Sequence, residues 1–398
     1  MASPRSNGVR VQITRDLGLF DVTMAGVGAM LGAGIFVLAG SAARVAGSAA
    51  WLALPLSAFV ALLTAFAYAE LASNRPSPGG GYAWVSEALP PPSGFLSGWL
   101  TWAGHIAAAA LSSLGIAVIV DYALESAGIT FLGLPRNVVL GGVPYNLSEK
   151  AIGAFVLMGF LALRAVAPTG AFRPLGYFSL LKFLLLAAFV GAATATMFSV
   201  PNLLGRFAVT TSQLPVLPLA AGVVFITYQG FEVVAQRSEH VKNPERTLPR
   251  GIFLALGLAA LLYTTFEIVL LGNVTDAPYC GGSAAACLAA GPRAPGATEP
   301  ELGFLFAAAS IGPAAVGFLF ATAIASMASG LVSNMDSGTR TAVSMAREGT
   351  LPTTLSHVTE RRIPAVGLAV SGAIAGVLLF AFNIEQLAVA AASLFLMQ

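Results

Sequence analysis

Apolar segments close to the length of a bilayer crossing recur along the whole chain and leave little room for another kind of fold. They fall at 19–42, 50–72, 94–120, 150–167, 176–199, 216–235, 251–274, 303–335, 364–382 and 385–398. Of the 398 residues, 57% are hydrophobic and 10% are charged, against about 25% charged in soluble domains. No soluble core could hide this much apolar side chain, so the sequence predicts an all-α integral membrane protein with ten spans.

Two of these segments have an unusual length. The eighth is too long for one crossing, and Gly312-Pro313 predicts a split into a surface helix and a span that starts near residue 314. The tenth has about fourteen residues from Ile384 to Gln398, whereas a crossing takes about 20. We therefore expect the sequence to be a fragment of a longer protein, with the carboxy-terminal end of its helical core truncated.

Basic residues indicate the orientation of the chain in the membrane. With the amino terminus inside, the inner segments carry fourteen basic residues and the outer loops five. The inner set is Arg5, Arg10, Arg15, Arg75, Arg164, Arg173, Arg237, Lys242, Arg246, Arg250, Arg340, Arg347, Arg361 and Arg362, and the outer set is Arg44, Arg136, Lys150, Arg206 and Arg293. The positive-inside rule then predicts a multi-pass protein of the cytoplasmic cell membrane, with residues 1–18 as a cytoplasmic tail. A net charge of +2 argues against a nucleic-acid partner.

Glycine interrupts the first and the sixth spans. The first break lies in Gly26-Val-Gly-Ala-Met-Leu-Gly-Ala-Gly-Ile-Phe36, and the second in Val224-Phe-Ile-Thr-Tyr-Gln-Gly-Phe-Glu232. Each glycine disfavours a helix by about 1 kcal/mol relative to alanine, and a bilayer offers freed backbone no hydrogen-bond partner. Close packing of a helix against Gly28 and Gly32 is an alternative explanation. It does not account for four glycines within nine residues, nor for the second break.

The two breaks open two halves of five spans each, which predict an inverted repeat. The predicted units are residues 19–199 and residues 200–398, with the tenth helix incomplete. An odd number of spans in each half gives the halves opposite orientations, and paired interruptions at matching places are typical of secondary transporters with a binding site at the midplane. The sequence thus favours a transporter over a channel, for which no filter repeat or charged ring is present.

Backbone freed at the breaks predicts a site for a zwitterion. The N–H groups of Gly32, Ala33 and Gly34 would lie at the positive end of the helix half that follows, where a carboxylate binds well. Carbonyls before the first break, and those of residues 226–229 in the second, could accept hydrogen bonds from an ammonium group. An amino acid matches both ends, so we prefer it as substrate over a sugar or a bare ion.

Several motifs carry a family resemblance. They are Gly28-Ala-Met-Leu-Gly-Ala-Gly-Ile-Phe36, Pro78-Gly-Gly-Gly-Tyr82 followed by Gly94–Trp99, Tyr228-Gln-Gly-Phe-Glu232, Lys242-Asn-Pro-Glu-Arg246, and Arg340–Pro352 with its Met345-Ala-Arg-Glu-Gly349. In this order they resemble the amino acid–polyamine–organocation (APC) superfamily of transporters, from Asp16 to about Pro364. The resemblance implies a ten-helix, five-plus-five (LeuT-like) core with discontinuous helices 1 and 6, usually followed by two more helices.

The resemblance also implies roles for single residues. Its carboxylate site falls on Gly32, Ala33 and Gly34, and its ammonium-binding carbonyls fall on Met30, Ile226 and Gln229. Many relatives place an aromatic lid where this chain has Ile226. Phe225 or Tyr228 would then do that work, so the size of the substrate and the occlusion step stay open.

Lys182, in Ser179-Leu-Leu-Lys-Phe of the fifth span, is the strongest candidate among the ionisable residues. A lysine buried in an apolar environment can gain and lose a proton during a transport cycle. Snorkelling of its side chain to the cytoplasmic surface is the alternative. In proton-coupled members of the superfamily, a lysine in this span occupies the place where sodium-coupled relatives bind sodium. The resemblance implies that role for Lys182, with Ser326 and Ser329 as neighbours and a proton rather than sodium as the coupling ion.

Other polar residues in the spans admit two interpretations each. Glu232 could line the cavity or tether a gate, or it could bind nearby backbone. Glu267 could face water, although bonding between helices is the commoner role. We interpret His105 as a packing residue, although histidine also serves as a proton relay. No metal-ligand or hydrolase spacing occurs, so we predict neither a metal nor a cofactor nor an enzyme.

The sequence therefore predicts a secondary active transporter of amino acids that works by alternating access, with proton symport as the preferred mode. The first, second, sixth and seventh spans would rock against the rest. Exchange of amino acids and ligand binding without net transport, as in a nutrient receptor, remain alternatives. Cys280 and Cys287 share the outer loop 278–300, where a disulfide and two free thiols are both possible.

Overall fold

Helices account for most of the protein, and a computed structural model describes residues 15–77, 79–136, 138–140, 143–166, 172–198, 203–236, 238–274, 302–309, 311–359 and 364–398. The first half contains α1 (Leu19–Met30), α2 (Ala33–Ala46), α3 (Ala53–Asn74), α4 (Gly81–Ala88), α5 (Pro91–Ser126), α6 (Leu147–Val166) and α7 (Phe172–Met197). The second half contains α8 (Leu217–Val224), α9 (Phe231–Ala235), α10 (Pro244–Val274), α11 (Gly303–Ala309), α12 (Pro313–Arg347), α13 (Ala365–Ala381) and α14 (Ile384–Leu396). Cys280 and Cys287 lie outside the described residues.

A short antiparallel hairpin joins α5 to α6. Its strands are β1 (Val138–Leu140) and β2 (Val143–Tyr145), and Val139 pairs with Pro144. The hairpin fills a connection between two spans, and the hydroxyl of Tyr145 donates to the carbonyl of Phe380 on α13 at 2.7 Å.

The helices follow the predicted spans closely. Among the described residues, six stretches are long and apolar enough to cross a membrane: Ala33–Asn74, Pro91–Ser126, Gly176–Met197, Leu214–Ala235, Pro244–Asn273 and Pro313–Arg347. The shorter apolar helices α1, α13 and α14, together with α6, complete the ten expected segments. Large apolar side chains such as Phe59, Leu63 and Phe66 of α3 are exposed along one side, as expected for a surface in contact with lipid.

One predicted element behaves differently from our expectation. The eighth segment does split at Gly312-Pro313, and α12 begins at Pro313. However, α11, the expected surface helix, is largely buried, with Phe304 and Leu305 almost fully covered. The ring of Phe304 packs edge-on against Phe36 of α2 at 5.5 Å between centroids. Its apolar side chains therefore hold α11 in the protein interior, which the length of the segment could not reveal.

Glycine permits the close approach of helices around α1. A Cβ atom at Gly26 would lie 2.8 Å from the Cβ atom of Ala255 on α10, and one at Gly28 would lie 1.9 Å from the hydroxyl oxygen of Ser179 on α7. Helix packing therefore accounts for these two glycines of the first motif. It leaves Gly32 and Gly34 to be explained by the break itself.

The amino end of α1 is tied to the segment between α9 and α10. The N–H groups of Asp16 and Leu17 donate to the carbonyl of His240 at 3.1 Å, and the N–H of Lys242 donates to the carbonyl of Leu17 at 2.9 Å. Leu17 and Val241 form a parallel bridge. We call the end of the helix bundle that holds these contacts the N-terminal face. Because of this bridge, α1 and the chain after α9 are held together as one unit.

Candidate functional site

The first span is broken within the predicted stretch. Helix α1 ends at Met30, Leu31 has φ −71° and ψ 72°, and α2 begins at Ala33. The N–H of Gly32 turns back to the carbonyl of Met30 at 2.7 Å. Two residues thus leave the helix, and the carbonyls at the end of α1 lose the partners that a continuous helix would supply.

The second break is longer and more regular. After α8, residues Phe225–Tyr228 form a 3₁₀ turn, Gln229 is extended, and Gly230 adopts φ +138° before α9 begins. The N–H of Gly230 donates to the carboxylate of Glu232 at 2.8 Å. A positive φ of this kind favours glycine, which explains why the second motif contains one at this position.

The two breaks lie directly against each other. A Cβ atom at Gly34 would be 2.7 Å from the methyl carbon of Thr227, and one at Gly230 would be 2.6 Å from the amide nitrogen of Met30. Neither position has room for a larger residue. Gly34 and Gly230 are 196 positions apart in the chain but have the same role. Each lacks a side chain where the backbone of the first break packs against the backbone of the second.

All of the predicted substrate-binding residues are brought into this region and are buried: Met30, Gly32, Ala33, Gly34, Phe225, Ile226, Tyr228 and Gln229. Tyr228 turns toward α10, where its ring packs against Tyr263 at 5.5 Å between centroids. The structure thus places these residues together, while their roles in binding stay a prediction.

Lys182 of α7 reaches into the first break. Its side chain is only 1% exposed, and its ammonium nitrogen donates to the carbonyl oxygens of Gly28 at 3.2 Å and Leu31 at 3.3 Å. A third bond goes to the hydroxyl of Ser329 on α12. The expected contact with Ser329 is therefore confirmed, and the alternative of snorkelling to the surface is wrong. Ser326 contributes its carbonyl, which accepts a hydrogen bond from the Ser329 hydroxyl at 2.9 Å.

These contacts match the chemistry of a charged ammonium group. A protonated lysine has three N–H donors, and the three oxygens around Lys182 supply one acceptor for each. Two of the acceptors are carbonyls at the end of α1, and the third belongs to α12. Lys182 therefore links α7, the broken end of α1 and α12 through one positive charge.

A pocket of about 80 Å³ leads from the N-terminal face toward this lysine. Its wall includes Asp21, Gly28, Ser179, Ser329, Ser333 and Asp336. Two of the three oxygens that bind Lys182 thus belong to residues of the pocket wall. None of the predicted substrate-binding residues belongs to that wall.

A polar cluster that the sequence did not reveal lies beside the second break. The side-chain nitrogen of Gln229 is 3.1 Å from Nδ1 of His105 and donates to the amide oxygen of Asn334 at 3.2 Å. Nδ1 of His105 is 3.0 Å from the same Asn334 oxygen, and Nε2 has no partner among the residues that the structure describes. His105 is thus a buried packing residue that also has hydrogen-bond partners at Nδ1. The sequence could not predict this contact, because His105 and Asn334 are single polar residues on two separate helices, α5 and α12.

The two buried glutamates differ in their surroundings. Glu232 accepts the hydrogen bond from the Gly230 amide, so the interpretation as a partner of nearby backbone is observed. A part in a gate or cavity stays a prediction. Glu267 of α10 is fully buried, and neither of its carboxyl oxygens has a hydrogen-bond partner within the described parts of the chain.

Two motifs of the family resemblance meet near the N-terminal face. The hydroxyl of Tyr82, which ends the glycine-rich motif and lies in the first turn of α4, donates to a carboxylate oxygen of Glu348 at 2.6 Å. Burial raises the pKa of the Tyr82 phenol, and the hydrogen bond to Glu348 raises it further. Glu348 follows α12 directly, so this contact fixes α4 against the end of that helix.

Comparison with known proteins agrees with this architecture. The structure of MhsT in complex with L-phenylalanine matches with a TM-score of 0.63 over 96% of this chain and 87% of that chain, at 16% sequence identity. At that identity the likeness shows the fold alone, and it confirms the predicted ten-helix inverted-repeat core with two discontinuous helices.

Sequence relatives point to one family. The branched-chain amino acid permease BcaP of Bacillus subtilis is 29% identical over 68% of this chain, and cationic amino acid transporter 3, mitochondrial, of Arabidopsis thaliana is 27% identical over 95%. The matched regions span 57% and 59% of these two relatives. The sequence profile described as amino acid permease matches residues 17–398. The chain is therefore a member of the amino acid permease family, within the amino acid–polyamine–organocation superfamily.

Proposed function

We propose that this protein carries amino acids across the cytoplasmic membrane by alternating access, as a proton symporter. The single observation that carries this proposal is the position of Lys182, whose ammonium group binds the broken end of α1. The N-terminal face is then the cytoplasmic face, in keeping with the distribution of basic residues.

Protonation of Lys182 would change the backbone that it holds. The charged form has three N–H donors for three acceptors, whereas a neutral amine has two donors. Loss of the proton therefore leaves one of the three oxygens without a donor from Lys182, and a buried polar group without a hydrogen bond costs about 1–3 kcal/mol. That energy is of the size needed to shift a two-state equilibrium by roughly five- to 150-fold. A proton on one lysine can thus bias α1 between two positions.

The substrate would bind to backbone at the two breaks, next to this lysine. The first N–H groups of α2 have no acceptor within their own helix and lie at its positive end, as a carboxylate requires. These groups belong to Ala33 and Gly34, and the backbone of the second break faces them through the contact between Gly34 and Thr227. The relatives are named for branched-chain and cationic amino acids, and the MhsT complex holds phenylalanine, which supports an amino acid as the substrate class.

The experiment is uptake of a panel of radiolabelled amino acids by the full-length protein in proteoliposomes, with pH and sodium gradients imposed independently. We expect uptake above the equilibrium level under an inward proton gradient and none under a sodium gradient alone. Obligate exchange would show counterflow of substrate without any response to the pH gradient. Saturable binding without flux would favour a receptor, and either of these results would overturn the proposal.

A lysine variant tests the coupling residue itself. In Lys182→Met we expect proton-driven uptake to fall by about 100-fold or more, because the charge that links α7 to α1 is absent. Lys150→Met is the matched control, since Lys150 is also buried and donates to a single carbonyl, that of Phe382, at 2.5 Å. The control should lose stability and keep its dependence on the proton gradient. Accumulation by Lys182→Met that still follows the pH gradient would refute the assignment.

A further inference from the structure

The pocket at the N-terminal face ends at the atoms that hold Lys182, although the lysine itself is buried. Both Gly28 and Ser329, which accept hydrogen bonds from its ammonium group, also line the pocket. We propose that this pocket is a water-filled route through which Lys182 exchanges its proton with the cytoplasm. This inference rests on the proposed proton coupling and adds the path and the residues that form it.

A polar stripe on α12 runs along the length of the pocket. Ser329, Ser333 and Asp336 follow one another at steps of four and three residues, so they lie on one face of the helix. At a rise of about 1.5 Å per residue, the stripe covers roughly 10 Å from the lysine toward the N-terminal face. Each turn of the helix thus offers one oxygen-bearing side chain to the same passage.

The volume of the pocket suits a short chain of water molecules. A cavity needs about 10–15 Å³ of this volume for each water, so about 80 Å³ has room for roughly five to eight. A buried water also needs two to four polar partners, and apolar cavities stay dry. Ser179, Ser333, Asp21 and Asp336 supply such partners on three helices, so the pocket is polar enough to be wet.

The charges around the pocket favour a proton in transit. Asp21 of α1 caps its own helix through a hydrogen bond from the Gly18 amide at 2.9 Å. Asp336 is paired with Arg164 of α6, and both of the guanidinium bonds go to the same oxygen, Oδ1, of Asp336. The other elements at the wall contribute apolar residues such as Val234 and Val241. Two carboxylates and one guanidinium give the passage one net negative charge, which balances the Lys182 ammonium and attracts a hydronium ion when the lysine is neutral.

The proton step is simple in chemical terms. One N–H bond of the Lys182 ammonium breaks, its electron pair stays on the nitrogen, and the proton passes to a water in the pocket. Transfer along the waters beside Ser333 then delivers the proton to bulk water at the N-terminal face. Protonation of the lysine from the cytoplasm follows the same path in reverse, and no other reactant takes part.

Filling the pocket tests the route. Ser333→Leu places a bulky side chain in the passage, and Ser333→Ala removes the hydroxyl but leaves the space for water. We expect the leucine variant to lower net proton-driven uptake by about tenfold or more, and the alanine variant to lower it by less than about threefold. Counterflow at equal pH requires no net proton release, so it should stay within about twofold of wild type in both variants.

A second variant, at another residue of the pocket wall, and a second measurement show whether a loss of uptake comes from a folding defect. Ala25 of α1 also lines the pocket, and Ala25→Leu should have the same effect as Ser333→Leu. In both leucine variants, net uptake should also slow further in D₂O than it does for wild type, because proton transfer has become limiting. A merely structural change would not alter the isotope effect.

The outcomes separate this inference from the function on which it depends. Wild-type uptake that ignores the proton gradient defeats the proposed function without any variant. If wild-type uptake is proton-coupled, but both leucine variants keep the wild-type uptake rate and isotope effect, the proposed route is wrong. A fall in counterflow equal to the fall in net uptake also overturns it, since the pocket would then conduct the substrate rather than the proton.

Discussion

The two breaks look alike in sequence but are stabilised in different ways. At the first, the carbonyls that α1 leaves free are bound by Lys182, which is 154 positions from Gly28 in the chain. At the second, the freed groups find partners within a few residues. The backbone N–H of Gly230 donates to the carboxylate of Glu232, and the backbone N–H of Gln229 donates to the carbonyl of Ile226 at 3.2 Å. The hydroxyl of Thr227 donates to the carbonyl of Val224 at 2.7 Å.

This difference assigns different tasks to the two breaks. The backbone of the second break is held by local hydrogen bonds, while the side chain of Gln229 also donates to Asn334 of α12. The first depends on a titratable side chain from another helix, so its shape can respond to a proton. We infer that the first break couples the transport cycle to the ion, and that the second keeps its shape while the two move together.

The largest effect is expected where the two breaks touch. Gly230→Ala would place a Cβ atom 2.6 Å from the Met30 nitrogen at a residue with φ +138°. The steric clash and the backbone strain together should destabilise the protein by about 3 kcal/mol or more. We expect little folded protein in a thermal unfolding assay of the detergent-solubilised variant, and no uptake.

A matched glycine supplies the control for this variant. Gly222, on α8 just before the second break, would meet nothing within 4 Å if it carried a Cβ atom. Gly222→Ala should therefore be neutral or stabilise the protein by about 0.5–1 kcal/mol, since alanine favours a helix. If Gly230→Ala were as stable as Gly222→Ala, the close contact between the breaks would be incorrect.

A smaller effect is expected from the hydroxyl that shares Lys182 with the first break. Ser329→Ala removes one of the three acceptors of the ammonium group and leaves the two carbonyls of α1 in place. We expect proton-driven uptake to fall by about tenfold, in line with the loss of one charge-assisted hydrogen bond. Ser326→Ala is the control, because the Ser326 hydroxyl has no partner among the described residues. Equal uptake by the two variants would show that the Ser329 bond is unimportant.

The smallest effect is expected at the second break. Glu232→Gln keeps an oxygen that can accept the hydrogen bond from the Gly230 amide, so we expect a change of less than about 1 kcal/mol in stability and unaltered proton coupling. Glu232→Leu removes the acceptor and should destabilise the protein by about 1–3 kcal/mol, because a buried amide is left unpaired. Thermal unfolding measures both. Loss of proton coupling in Glu232→Gln would mean that the second break also takes part in ion coupling, contrary to our comparison.

Much of the fold was predictable because it depends on local composition. Ten segments, the break near Met30–Gly34 and the split at Gly312-Pro313 all follow from apolar length and from helix-weakening residues. The burial of α11 was not predictable, since a short apolar helix between two spans can lie on the surface or pack inward. Its contact with Phe36 depends on the position of α2 in three dimensions.

The candidate site was predictable only in part. Lys182 stood out because a charged residue inside an apolar segment is rare and needs a reason. His105, Gln229 and Asn334 did not stand out as a group, since each is one polar residue on a different element. Likewise, Asp21 and Asp336 are ordinary acidic residues in sequence, and only the packing of α1 against α12 places them around one pocket.

The sequence by itself determined where the chain crosses the membrane and where its helices must break, because both depend on residues that are neighbours in the chain. Only the tertiary structure decided which groups satisfy the freed backbone. The first break is bound by a lysine from α7, and its glycines are fitted to Thr227 and Ser179. Hydrogen bonds and steric contacts act over about 3–4 Å in space, whatever the separation along the chain, so the partners of a break become known only once the helices are packed.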